Sequence, residues 1–119
     1  MTDPRAQLDE QRRRTVARLA ALRGDYRGFV EASRDSNADD EHDPEGATIA
    51  FERSQVGALI RQAEEQLAQV EAALGRIEDG SYGRCARCAL PIPPERLEAR
   101  PSATTCVSCA TSAAGPGRG

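Results

Sequence analysis

From about Pro4 to Arg34, seam positions return at alternating steps of four and three, through Leu8, Thr15, Leu19, Leu22, Tyr26 and Phe29, with charged and polar residues filling the intervals. That spacing places one apolar stripe along a helix and predicts a coiled-coil arm. The stripe is weak at its start, where Arg12 and Thr15 hold two seam positions, so this helix is expected to fray before about residue 12. Gly24 and Gly28 each cost a helix on the order of 1 kcal/mol relative to Ala, which leaves packing to hold the arm together. A second seam is cleaner: Ile49, Val56, Ile60, Ala63, Leu67, Val70, Leu74 and Ile77 fill nearly every position up to Glu78-Asp79-Gly80, where Gly80 is the expected helix stop.

Two arms of about thirty residues, each apolar on one stripe, bury those stripes most simply against each other. The expected fold is therefore mostly α: a long antiparallel coiled-coil helical hairpin over residues 1–80, followed by a small four-cysteine zinc finger over residues 81–110 and a flexible tail over residues 111–119. At 1.5 Å of rise per residue the hairpin would be about 45 Å long. Pro44 and Gly46 are expected to interrupt any continuous helix, so the bend falls at about residues 35–46.

Charge changes the picture of that bend. The net charge of −3 hides a strong segregation: residues 35–52 carry seven acids and no Arg, whereas residues 1–34 and 81–119 each carry a net +3. Six of the acids lie between Asp35 and Glu45. Some would face the positive N-terminus of the second helix favourably, by about 0.3–1 kcal/mol each. This explains Asp43 and Glu45 but not six acids together, whose mutual repulsion costs stability. Asp39, Asp40, Glu41, Asp43 and Glu45 are therefore candidate functional residues of an acidic tip.

Composition removes several functions. The 119 residues leave no room for separate cofactor and substrate lobes. All 16 basic residues are Arg, so there is no lysine for a Schiff base or a P-loop. The one His, His42, lies in the polar bend, and no catalytic residues are assigned; the chain is expected not to be an enzyme. Aromatics at 3% supply few stacking platforms for single-stranded nucleic acid. Arg12-Arg13-Arg14 is the one basic cluster and reads as a solvated helix face, so sequence-specific DNA contact is not expected. No apolar run reaches the ~18–20 residues needed to span a bilayer, and Met1 to Arg14 is too polar for a secretory signal. A cytoplasmic location without membrane contact is the expectation.

The chemistry lies in four cysteines. Cys85 and Cys88 form one C-x-x-C pair, Cys106 and Cys109 another, with seventeen residues between the pairs. In a reducing compartment this spacing points to one tetrahedral Zn²⁺ held at about 2.3 Å by two knuckles, with an iron–sulfur cluster as the competing reading. Four thiolates on Zn²⁺ leave a formal −2, and Arg84, Arg87, Arg96 and Arg100 are nearby counter-charges in sequence. Leu90, Ile92, Leu97 and Val107 are too few apolar residues to fold some thirty residues without metal, so the zinc reads as structural.

Tyr82-Gly83-x-Cys85-x-x-Cys88, Ile92, and Arg96-Leu97-Glu98-Ala99-Arg100-Pro101-x-Ala103-x-x-Cys106-x-x-Cys109 together closely resemble the zinc-finger signature of the DksA/TraR family of bacterial transcription regulators. That family also places a coiled-coil hairpin with an acidic tip ahead of the finger. The resemblance implies a transcription regulator that binds RNA polymerase, inserting the hairpin through the secondary channel to bring its acidic tip near the catalytic centre and so modulate initiation. Several members act together with the alarmone ppGpp. Three departures stand out. Gly46 replaces the second Asp of the family's Asp-Pro-x-Asp-x-Ala tip; Ala89 stands where the first knuckle often has Gly, and a tolerated distortion is expected there; and the ten residues after Cys109 leave little room for the C-terminal helix of longer members, so ppGpp binding does not carry over. The alternative is a zinc-dependent protein-interaction or thiol redox-sensing module that does not act through the polymerase channel.

Overall fold

The computed structural model describes residues 3–35 and 44–114, which form four helices: α1 (Pro4–Asp35), α2 (Pro44–Asp79), α3 (Pro94–Ala99) and α4 (Val107–Ala114). The first two are the antiparallel coiled-coil hairpin, and the four cysteines follow it. No described helix is long and apolar enough to cross a membrane. Asp3 starts α1: its carboxylate accepts the Arg5 N–H at 3.3 Å and its carbonyl accepts the Gln7 N–H at 3.0 Å. Pro44 marks the start of α2, as a helix boundary there requires, but Gly46 does not interrupt the helix, which runs through it; residues 36–43 of the expected bend lie outside the described residues. Proline at the first helical position removes only an N–H that would have had no intrahelical partner.

The end of α2 follows the expectation. Gly80 takes φ +82°, which lets the Ser81 and Tyr82 N–H groups turn back to the Arg76 carbonyl at 2.9 and 3.1 Å. The Asp79 carboxylate accepts both the Ser81 N–H and its hydroxyl, at 2.9 and 2.6 Å, and the hydroxyl bond first, the N–H bond second, hold its pKa below the ordinary value.

The chain packs as two units, Arg14–Leu67 and Met1–Arg13 with Ala68–Gly119. In the first, the seams of α1 and α2 meet as their periodicity predicts: Thr15, Leu19 and Ala63 are buried, and Leu22, Phe29, Ile49, Val56, Ile60 and Leu67 are half-buried. Tyr26 lies beside Gly57, where an added Cβ would stand in ordinary contact with the ring, 3.6 Å from Tyr26 Cε2. Arg23 and Glu64 pair across the helices at 2.8 Å.

The other unit corrects the expectation of fraying before residue 12. Leu8, Val70 and Ala73 are each 0% exposed and form its core, with Leu74, Ile77 and Tyr82 packed against them. Arg5–Glu78 and Arg12–Glu71 ion pairs at 2.7 and 3.1 Å tie the first turns of α1 to the last turns of α2, and the Gln7 amide donates to the Glu98 carbonyl of α3 at 3.0 Å. The weak start of the first seam is compensated by Val70, Ala73, Leu74 and Ile77 of α2 together with Tyr82, which follows the hairpin and lies outside any heptad pattern. Exposed ion pairs such as these contribute at most about 1 kcal/mol each, so the buried cluster dominates.

Candidate metal centre

Each cysteine pair sits where the backbone is forced to turn. Before the first, Gly83 takes φ +88° and comes against Leu97, to whose Cδ1 an added Cβ would lie 3.6 Å away. The Gly83 carbonyl accepts the Ile92 N–H at 2.7 Å, and an isolated antiparallel bridge joins Arg84 to Pro91. Between these rails the chain makes a knuckle: the Cys85 N–H donates to the Leu90 carbonyl at 2.8 Å and the Ala89 N–H returns to the Cys85 carbonyl at 2.9 Å. Closing it puts Ala89 at φ 64°, the one described non-glycine residue in the left-handed region. This is the distortion expected where the family often has glycine, since Cβ then crowds the following carbonyl.

The second pair is carried by α4. Cys106 immediately precedes that helix, its carbonyl accepting the Ala110 N–H at 2.9 Å, and Cys109 lies in the first turn. Thr111–Ala114, expected as the start of a flexible tail, continue α4 instead; residues 115–119 lie outside the described ones. Ala and Ser, which fill α4 with Thr, tolerate a helix, and nothing in Thr111-Ser-Ala-Ala breaks it before Gly115.

The four sulfurs lie within 4.8 Å of one another, with Cys88 and Cys106 Sγ 3.9 Å apart. A tetrahedron of 2.3 Å zinc–sulfur bonds has edges of about 3.8 Å, so the donor set fits zinc in type and spacing. Two backbone donors aim at one sulfur: the Cys88 and Cys106 N–H groups point at Cys85 Sγ from 3.5 and 3.4 Å. These bonds, that from Cys88 most strongly, bring the Cys85 thiol down to about 6. The opposite holds at Cys109, pushed up to about 12 by hydrogen bonding first to Cys106, then to Cys85. Ligation would require all four thiols to give up their protons. Cys85 is buried, Cys106 and Cys109 are half-buried, and Cys88 is exposed.

The arginines are more specific than counter-charges. Arg84 Nη1 donates to the Ala89 carbonyl at 2.8 Å, bracing the strained residue, and Arg96 Nε donates to the Thr105 carbonyl at 2.6 Å. Sequence reasoning placed both near the site but missed what they hold. Tyr82 adds a third brace, its hydroxyl donating to the Pro101 carbonyl at 2.8 Å; burial, the largest influence, raises its pKa above the ordinary value near 10. Of the four apolar residues counted for this segment, only Ile92 is buried and Leu97 half-buried; Leu90 and Val107 are 64% and 55% exposed.

Asp39, Asp40, Glu41 and Asp43 lie outside the described residues, and Glu45 is the second residue of α2.

Fold and site together define a helical hairpin joined to a C4 zinc finger. Residues 80–113 match the model of the prokaryotic dksA/traR C4-type zinc finger. The RNA polymerase-binding transcription factor DksA of Escherichia coli (strain K12) is 33% identical over 111 residues, covering 91% of this chain and 72% of that protein. The chain therefore belongs to the DksA/TraR family. A protein of Bacillus subtilis (strain 168), YteA, is 44% identical over 69 residues, but these cover 58% of this chain and only 29% of YteA. Among solved structures, transcription factor DksA2 from Pseudomonas aeruginosa superposes with a TM-score of 0.78 at 28% identity, over 90% of this chain and 77% of that one.

Proposed function

We propose that this protein is a non-enzymatic transcription factor that binds RNA polymerase in the cytoplasm. The observation that carries the reading is the similarity to the E. coli RNA polymerase-binding factor across nine-tenths of the chain, hairpin and finger alike. In this reading Cys85, Cys88, Cys106 and Cys109 ligate one Zn²⁺. Zinc so bound cross-links the two knuckles, and with four protein ligands it has no open position for substrate or water. The residues around it do the rest: Arg84, Arg96 and Tyr82 brace the loops, and the Leu8 cluster ties the finger to the ends of α1 and α2.

The hairpin enters the polymerase secondary channel and presents Asp39, Asp40, Glu41, Asp43 and Glu45 to a centre rich in Mg²⁺ and basic side chains, where concentrated negative charge is attracted over several ångströms. Asp43 is the residue on which the effect turns, because Gly46, third in α2, replaces the family's second tip aspartate. No step requires reading a DNA sequence. The test is twofold. Tagged full-length protein should recover polymerase subunits from a lysate of its source cell. With purified polymerase, Asp43→Asn should then keep binding while weakening the change in open-complex lifetime at least several-fold; an undiminished effect removes the tip from the mechanism, and failure to recover polymerase removes the reading itself.

A further inference from the structure

Arg96 and Cys85 are joined through one peptide group. The Thr105 carbonyl accepts Arg96 Nε at 2.6 Å, and the N–H on the other side of that same amide, the Cys106 N–H, points at Cys85 Sγ from 3.4 Å. The geometry points to Arg96 as a positioning residue of the metal centre, whose guanidinium fixes and polarises the Thr105–Cys106 peptide so that its N–H supports the Cys85 sulfur as a zinc ligand. The inference rests on the four-cysteine zinc reading proposed above and adds a residue that lies outside the C-x-x-C pairs.

Three features favour a role beyond ordinary loop packing. First, Arg is the donor: a cationic donor makes a stronger bond to a carbonyl than a neutral one, and withdrawing density at the oxygen makes the N–H of the same amide a better donor. Second, the chain is short. Arg96 lies in α3, whose start is set by Pro93 and Pro94 and whose end is closed by the Arg100 N–H on the Arg96 carbonyl at 2.7 Å, so the side chain projects from a backbone with little freedom. Third, the receiving sulfur is the most enclosed of the four: Cys85 is 2% exposed, where water cannot replace a lost N–H donor. Outer partners that orient metal ligands commonly alter metal affinity by about 10–100-fold when removed. Arg100 is the internal comparison, since it lies in the same segment and is exposed.

The experiment uses the full chain loaded with Zn²⁺ or Co²⁺. Arg96→Gln should lower zinc affinity in chelator competition by about tenfold or more and shift the sulfur-to-cobalt charge-transfer band, whereas Arg100→Gln, with the same loss of charge, should do neither. Arg96→Lys should restore only part of the affinity, because a single ammonium cannot reproduce the planar fork. Equal affinity and an unmoved band in Arg96→Gln overturn the proposal. Should that variant not fold, the ¹¹³Cd-loaded native protein decides: a scalar coupling between cadmium and the Cys106 amide proton supports the relay, and its absence overturns it. A native chain that forms no four-sulfur cobalt complex at all overturns the zinc reading as well, which separates the two failures.

Discussion

Replacing Ala89 by glycine is expected to tighten zinc binding, although it removes a side chain and adds freedom to the unfolded chain. Ala89 is held at φ 64° between the Cys85 and Arg84 hydrogen bonds. A Cβ in that region costs roughly 1–2 kcal/mol. Glycine relieves this but loses about 0.4–1 kcal/mol through the larger entropy of the unfolded chain. The difference leaves a net gain of about 0.5–1 kcal/mol. In the proposed reading, in which so small a core folds as it binds metal, the gain should appear as a two- to fivefold rise in zinc affinity, on the order expected when binding and folding are linked. Competition against a chromophoric chelator at fixed pH reads it directly. Ala86→Gly is the control: Ala86 has negative φ and its N–H bonds to the Thr104 carbonyl at 2.8 Å, so glycine there should weaken binding by the entropy alone. The strain account would be falsified if both glycines weakened binding alike. A valine at position 89 should be worse than alanine, since branching at Cβ makes a left-handed backbone costlier still.

Tyr82→Phe should destabilise the finger by about 1–3 kcal/mol, because the half-buried Pro101 carbonyl is left without its donor; an unchanged melting temperature would contradict this. The same bond predicts an alkaline limit. The folded state raises the Tyr82 pKa above its unfolded value near 10, so its contribution is complete below about pH 10 and disappears as pH rises through the folded value; melts between pH 9 and 11 that run parallel for native and Tyr82→Phe proteins would refute it. Leu8→Ala should cost about 2–5 kcal/mol in urea unfolding, since Leu8 is wholly enclosed, whereas a loss below 1 kcal/mol would mean that the start of α1 frays as its seam alone suggests. Removing zinc with a chelator should abolish hydrogen-exchange protection of the Cys85 and Ile92 amides while leaving that of Leu19 and Ala63; retained protection at Cys85 would show that the finger folds without metal.

The hairpin was legible because a heptad seam is a local signal repeated many times: Leu19, Ala63 and Val70 are buried where the periodicity puts them. What failed were places where one residue's state depends on another far along the chain. Leu8 looked isolated beyond Arg12 and Thr15, yet it is enclosed by Val70 and Ala73 with Tyr82 packed alongside, and Ala73 stands one place off the seam, between its positions at Val70 and Leu74. Pro44 misled for a different reason. Its effect reverses with position, breaking a helix from inside and starting one from the first turn, and sequence alone carried the bend to about residue 46, past the start of α2 at Pro44.

The metal centre shows the same division between what spacing encodes and what packing decides. Two C-x-x-C pairs announce four sulfurs, and the strain at Ala89 was legible through the family resemblance, which often has glycine at that place. The arginines announced only charge. Their bonds to the Ala89 and Thr105 carbonyls follow from where α3 and the Gly83 turn place them. With Leu90 and Val107 facing outward, burial alone cannot specify the path of residues 81–114. Directed bonds from Arg84, Arg96 and Tyr82 to carbonyls beside the knuckles do that instead, so the polar residues define the loop geometry and a tetrahedral ion would lock it. Substitutions that preserve hydrophobicity but remove one of these donors should therefore harm the finger more than substitutions at Leu90 or Val107, the reverse of what a hydropathy profile of this segment suggests.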